Sequence, residues 1–325
     1  MPLTDGYGRR INYLRLSVTD RCNLRCRYCM PAAGVAKLGH DDILRYEELY
    51  RIARAAVAIG IEKIRVTGGE PLVRKGLVPF LARLAALPGL RQLVLTTNGL
   101  LLPELAADLR RAGVQRLNVS LDSLRSATFR QIARTGELQR VLDGLAAAEA
   151  AGFPPPKINM VVMRGINDDE VVDFARLTLT RPYQVRFIEY MPATREENWQ
   201  ALTVAGREIL ARIGAEFSLE PVAKGELAGP AEEFRIPGAA GTIGVISAVS
   251  GHFCGDCNRI RVTSTGLAKG CLFADDAFDL RPFIAAEPAV LEELLRRLVG
   301  CKPARHGLAP EQAAHRPFSM AKVGG

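Results

Sequence analysis

Apolar residues along this chain alternate between two spacings, and the alternation predicts a repeated strand–helix order. Short runs rich in β-branched and other apolar residues recur at residues 11–18, 63–67, 92–96, 116–121, 157–163 and 184–190. Between them, apolar positions fall at three- and four-residue steps over residues 46–59, 77–87, 103–112, 138–151 and 169–178, the pattern of helices with one buried face. Strand, helix, strand without hairpin signals predicts an α/β fold with a parallel sheet and helices outside it. Six such units make a partial (βα)6 barrel of the TIM type, short of the eight that close one. After residue 192 the rhythm breaks into a helix around 203–213, short glycine-interrupted β-like runs up to 272 and a final helix near 289–299. The expected division is therefore a barrel over residues 1–192 and a C-terminal extension over 193–325, packed against the barrel.

Polar and glycine-rich turns follow the C-terminal ends of four expected strands: Thr67-Gly68-Gly69-Glu70-Pro71, Thr97-Asn98-Gly99, Ser120-Leu121-Asp122-Ser123 and Glu189-Tyr190-Met191-Pro192. Any one is an ordinary turn; four on one face mark the end of a parallel barrel where chemistry takes place.

Length and composition narrow the class. At 325 residues the chain has room for one large α/β domain and an appendage. No apolar stretch is long enough to span a bilayer, and residues 1–10 are charged with no apolar run behind them, so neither a membrane nor a secretory signal is expected. In the cytoplasm thiols stay reduced, and the seven cysteines read as metal ligands before disulfides. The net charge of +8 suits an acidic partner. That partner could be nucleic acid, a membrane surface or a polyphosphate, and basic residues scattered along the chain speak less for nucleic acid than a concentrated patch would.

The cysteines carry the chemistry. Cys22, Cys26 and Cys29 form C-x3-C-x2-C directly after the first expected strand. Three thiolates on a four-iron cluster leave one iron open, and an open metal corner is a place for reaction. Cys254, Cys257 and Cys271 form a second triple, C-x2-C-x13-C, and His252 stands two residues before it. By spacing alone this second group reads either as a Cys3His zinc site or as another three-cysteine cluster. Cys301 has no partner in either group, and His40, His306 and His315 have no ligand spacing. Trp199 and Glu189 fit either lining or packing.

Tyr28 before the last cysteine of the first triple, and Met30-Pro31 after it, give that loop a likeness to the radical S-adenosylmethionine (SAM) superfamily. Adding the downstream Cys254-Gly255-Asp256-Cys257-Asn258-Arg259-Ile260-Arg261 and the terminal Gly324-Gly325, nearly the whole chain resembles the GTP 3',8-cyclase family of molybdenum cofactor biosynthesis, also called molybdopterin biosynthesis protein A. The resemblance implies two [4Fe-4S] clusters and SAM as cofactors. Cys22, Cys26 and Cys29 would hold the SAM cluster, with Tyr28, Gly69, Ser120 and Met191 around SAM. Cys254, Cys257 and Cys271 would hold the second cluster, whose open iron takes GTP. Arg15, Arg65, Thr96, Lys157, Arg259 and Arg261 would contact GTP. Arg259 and Arg261, with Gly324 and Gly325 threading into the site, are the implied catalytic positions.

Charges inside parallel strands, such as Arg15 and Arg65, are unfavourable unless paired or facing a polar cavity. The implied reaction generates a 5'-deoxyadenosyl radical from SAM, removes the 3' hydrogen of GTP and joins that carbon to C8 of guanine. It also implies an electron-donor protein, hand-off to the next enzyme (cyclic pyranopterin monophosphate synthase) and room for a homodimer, with no nucleic acid or membrane. The alternatives are a peptide-modifying radical SAM enzyme with an auxiliary cluster, and a zinc-containing nucleic-acid-binding module.

Overall fold

A computed structural model of the chain describes residues 2–34, 38–191, 199–251, 253–274, 276–306 and 320. Six parallel strands form where the periodicity places them: β1 (Tyr13–Ser17), β2 (Lys63–Thr67), β3 (Gln92–Thr97), β4 (Arg116–Ser120), β5 (Lys157–Val162) and β6 (Gln184–Glu189). The first five are followed by helix: α1 (Tyr46–Ala58), α2 (Leu77–Ala85), α3 (Leu102–Arg111), then α4 (Ser126–Ala133) with α5 (Leu138–Ala150), then α6 (Val171–Thr180). The eight-residue α4 is absent from the expected pattern. The expected domain boundary at residue 192 lies outside the described residues.

The remaining elements are a short α7 (Trp199–Leu202), α8 (Gly206–Gly214), β7 (Glu220–Val222), β8 (Glu232–Arg235), β9 (Thr242–Ile246), β10 (Arg259–Val262), β11 (Leu267–Lys269), β12 (Phe278–Asp279) and α9 (Pro288–Gly300). They do more than pack on the barrel; they extend its sheet. The strand order is β12-β11-β10-β1-β2-β3-β4-β5-β6-β9-β8-β7. Because β10 runs parallel to β1 and β9 parallel to β6, the expected six parallel strands become eight. The parallel run is then closed off at each edge by antiparallel pairs.

The parallel strands are not apolar throughout; they alternate. One set of alternate residues (Leu14, Leu16, Ile64, Val66, Leu117, Val119, Ile158, Met160, Val185, Phe187, Ile260, Val262) is buried in the main core that the helices cover. The other set faces the barrel interior and carries many polar residues, among them Arg15, Arg65, Thr96, Asn159 and Arg186, beside Val161 and Ile188. Most TIM barrels fill that interior with branched apolar side chains. Here it is left as a cavity.

Candidate active site

Arg15 on β1 stands in register with Arg65 on β2 and with Arg261 on β10, so three guanidinium groups share one level of the interior. Arg259 lies two residues before Arg261 on the same strand face. Arg186 on β6 faces inward opposite Asn159 on β5. The carboxamide oxygen of Asn118 lies 3.0–3.1 Å from the three Arg65 guanidinium nitrogens, and the Tyr13 ring faces Arg65 and Lys63.

Among the described residues the carboxylate paired with this group is Glu233, 3.7 Å from Arg186. Burial, then Arg261 and Arg65, hold Arg15 well below the ordinary arginine value. Burial, then Arg65 and Arg186, lower Lys63 to about 7. Burial and Arg186 lower Lys157 to about 6. Nη1 of Arg261 is buried with no hydrogen-bond partner among the described residues. Such an interior is built for an anion carrying several charges.

The first cysteine loop leaves the C-terminal end of β1. It is clasped from outside by the end of α4: Arg25 N donates to Ala133 O (3.1 Å) and Arg27 N to Ile132 O (3.0 Å). Arg134, the one described non-glycine residue with positive φ (61°), caps α4 and donates to the carbonyls of Arg25 (3.1 Å) and Met30 (3.0 Å). Glu70, buried behind this loop, accepts from Leu72 N (3.0 Å), Thr97 Oγ1 (2.8 Å) and Asn98 N (2.7 Å), and burial raises it to about 7. Tyr28 donates to Asp122 (2.9 Å). At Gly69 a Cβ would overlap the Arg21 carbonyl oxygen, so only glycine brings this turn so close to the loop.

The second group sits at the other end. Cys254 and Cys257 precede β10, and Cys271 follows the antiparallel β11, so all three lie at the N-terminal mouth of the barrel. Arg9, ion-paired to Asp5 at 2.6 Å, donates to Cys254 O (2.8 Å), Pro303 O (2.7 Å) and Ala304 O (3.0 Å), tying both chain ends to this loop. Glu189 takes up hydrogen bonds from Gly206 N (2.6 Å), Val249 N (2.7 Å) and Ser250 N (2.8 Å). It anchors the segment that follows β9 and does not line the cavity, and Trp199 packs in a small satellite core.

All six cysteines line one cavity, which runs the length of the barrel. Tyr28, Gly69, Ser120, Met191, Arg15, Arg65, Thr96, Arg259 and Arg261 line it too, as does Met320 near the chain end. Lys157 is not in the lining; it starts β5, half-buried, beside Arg186. Gly324, Gly325, His252 and His315 lie outside the described residues. His306, assigned no role above, lines the wall against Phe273. Sequence reasoning also passes over Lys63, Arg186, Asn159 and Lys302. For Lys63, Asn159 and Arg186 the signal is a polar residue at every second strand position, as at Arg15 and Arg65; Lys302, beyond α9, carries none.

The thiols suit a metal cluster. All are free. Burial and the neighbouring Asp122, Cys29 and Cys22 push the Cys26 thiol well above its ordinary value, and burial and Glu70 push Cys22 up to about 11. Three thiolates this close need a cation of their own, which a cluster supplies. At the other end burial opposes ionisation of Cys257, but Arg259 and Lys302 outweigh it and bring the thiol down to about 6. Lys302 Nζ lies 3.3 Å from Cys257 Sγ and donates to Gly270 O at 2.6 Å. No three His, Cys, Asp or Glu side chains among the described residues stand at single-ion spacing; the arrangement names the donors and leaves the metal open.

Comparison with known proteins supplies the rest. Residues 16–178 match the model of the radical SAM superfamily, and residues 183–308 match that described as Molybdenum Cofactor Synthesis C. The chain is 76% identical over 326 residues to a protein of Geobacter sulfurreducens named GTP 3',8-cyclase, covering 100% of each. It is 46% identical to the protein of that name from Moorella thermoacetica, over 99% of this chain and 100% of the relative. Among solved structures, Streptococcus suis SuiB bound to S-adenosylmethionine superposes with a TM-score of 0.60 at 13% identity, covering 88% of this chain and 68% of SuiB. At that identity the likeness concerns the fold alone.

Proposed function

The chain belongs to the GTP 3',8-cyclase family of the radical SAM superfamily, and from that premise we propose a division of labour along its barrel cavity. The reaction converts GTP to 3',8-cyclo-7,8-dihydro-GTP in molybdenum cofactor biosynthesis. When bound, two [4Fe-4S] clusters and SAM supply one-electron radical chemistry; the protein supplies binding, orientation and exclusion of water. Cys22, Cys26 and Cys29 hold the first cluster, with SAM kept by Tyr28, Gly69, Ser120 and Met191. Cys254, Cys257 and Cys271 would hold the second, which would bind GTP through its open iron.

Arg15, Arg65, Thr96, Arg259 and Arg261 contact GTP between the two. The triphosphate would extend towards Lys157, whose charge Arg186 and Lys63 both feel. Guanidinium forks suit phosphate oxygens, and the low-dielectric interior strengthens each contact. Arg259 and Arg261 also act in catalysis, with the Gly324-Gly325 tail entering beside Met320. A protein electron donor, transfer of product to the next pathway enzyme, and a cytoplasmic location complete the reading; no described helix is long and apolar enough to cross a membrane.

One observation carries this reading: six cysteines at opposite ends of one cavity whose wall is cationic. The test is Arg259→Ala in reconstituted protein. GTP binding, followed by calorimetry, should weaken about ten- to hundredfold for the loss of a charged hydrogen-bonding partner, while iron content stays that of the parent. Unchanged GTP affinity would remove Arg259 from the phosphate site.

A further inference from the structure

The segment joining β7 to β8 does work that its position at a sheet edge does not require. β7 and β8 end one side of the open sheet, and β10 to β12 end the other. Among the described residues no strand pairing joins the two sides. The connection between β7 and β8 crosses the gap instead. It makes a tight turn, Ala228 N donating to Gly225 O at 2.9 Å, and presents Glu226 and Leu227 at its tip.

Its anchors all lie around the N-terminal mouth. Glu226 accepts from Arg10 (2.9 Å) and Arg91 (3.1 Å), and both arginines also pair with Glu62 at the start of β2, at 3.0 and 3.6 Å. Lys224 pairs with Asp256 at 3.1 Å, between Cys254 and Cys257. Asn258, the residue after Cys257, donates to Ala228 O at 3.4 Å. Pro230 lines the cavity itself. The segment is thus a strap across the mouth, fastened to strand ends on one side and to the second cysteine loop on the other.

The bond that matters most is inside. Lys63 Nζ lies against the ring of Tyr13, which lines the cavity, and donates to Leu227 O at 2.8 Å, with no carboxylate partner among the described residues. A buried ammonium resting on one neutral carbonyl is under-satisfied. It has three protons to give, and a terminal phosphate would take what the carbonyl leaves. We infer that the strap at residues 223–230 makes the enzyme selective for the length of the phosphate chain. It seals the mouth against water and aims Lys63 so that only a nucleotide long enough to reach that lysine gains from both. The inference rests on the GTP reading above.

The experiment uses anaerobic holoenzyme and two variants at exposed anchors, Glu226→Gln and Arg91→Gln, neither of which touches the cavity. Affinities for GTP and GMP are measured by calorimetry, together with iron content and the rate of proteolytic cutting within residues 223–230. Loss of exposed ion pairs should lower GTP affinity about three- to tenfold and leave GMP affinity and iron content as in the parent, so the preference for GTP narrows. In the parent, GTP should slow cutting of the strap and GMP should not. If both variants keep the parent's GTP-to-GMP ratio, or if GMP protects the strap as well as GTP does, the strap does not read chain length, while the GTP reading stands. If the parent itself binds no GTP, both readings fall together.

Discussion

Replacing Lys157 by Met should make the nucleotide-free protein more stable while making it a worse GTP binder. In the folded chain burial and Arg186 bring Lys157 down to about 6 from the 10.5 of an unhindered lysine. A lysine held below its unfolded value binds fewer protons folded than unfolded, so it opposes folding. That penalty is complete below the folded value near 6 and fades as pH climbs to 10.5. At pH 7 the ceiling is about 3.5 units at 1.36 kcal/mol each, or about 5 kcal/mol; at pH 9 it shrinks to about 2 kcal/mol. Even a fifth of the first figure, about 1 kcal/mol, raises the melting midpoint by about 2–4 °C for a domain of this order. With GTP bound the sign reverses, because the phosphate loses a charged partner, and affinity should drop about ten- to hundredfold. Thermal unfolding of anaerobic, nucleotide-free parent and Lys157→Met, at pH 7 and pH 9, reads this directly. A variant less stable than the parent at pH 7, or an advantage that grows towards pH 9, would refute the reasoning.

Two further outcomes follow from the same geometry. Since Lys63 near 7 and Lys157 near 6 are largely neutral at pH 8 in the free protein, GTP binding there should take up about one to two protons. Calorimetry in buffers of different ionisation enthalpy measures this, and uptake that fails to shrink between pH 8 and pH 5.5 would contradict it. Arg134→Ala removes both clasps on the first cysteine loop yet keeps a side chain at positive φ. It should lower stability by about 1–2 kcal/mol and shed iron from the first centre faster on gel filtration, with iron retention equal to the parent's ruling out the clasp.

How far the sequence alone leads can be followed element by element. The six barrel strands are legible because each is a short apolar run between long helical periods; β2 to β6 start where expected, and no observed limit is more than two residues from the expected one. β9 and β10 are not, since nothing local says that runs near residues 242 and 259 return to flank β6 and β1; that pairing is a long-range choice. α4 escapes because eight residues hold barely two turns, and what fixes it is the grip on the cysteine loop. The two cysteine triples are legible from spacing, but their placement at opposite ends of the barrel follows from strand direction, which the spacing does not encode. Arg15 and Arg65 read as anomalies inside parallel strands. The structure turns the anomaly into a rule by setting Lys63, Asn159 and Arg186 in the same inward phase.

The central claim is that this barrel holds two separate metal centres, one at each mouth. Iron and sulfide analysis of anaerobically prepared protein, with Cys22, Cys26 and Cys29 replaced by Ala in one variant and Cys254, Cys257 and Cys271 in another, tests it most directly. The account predicts about eight irons per chain in the parent and about four in each variant. A parent with about four irons, or a single triple replacement that empties both ends, would contradict it.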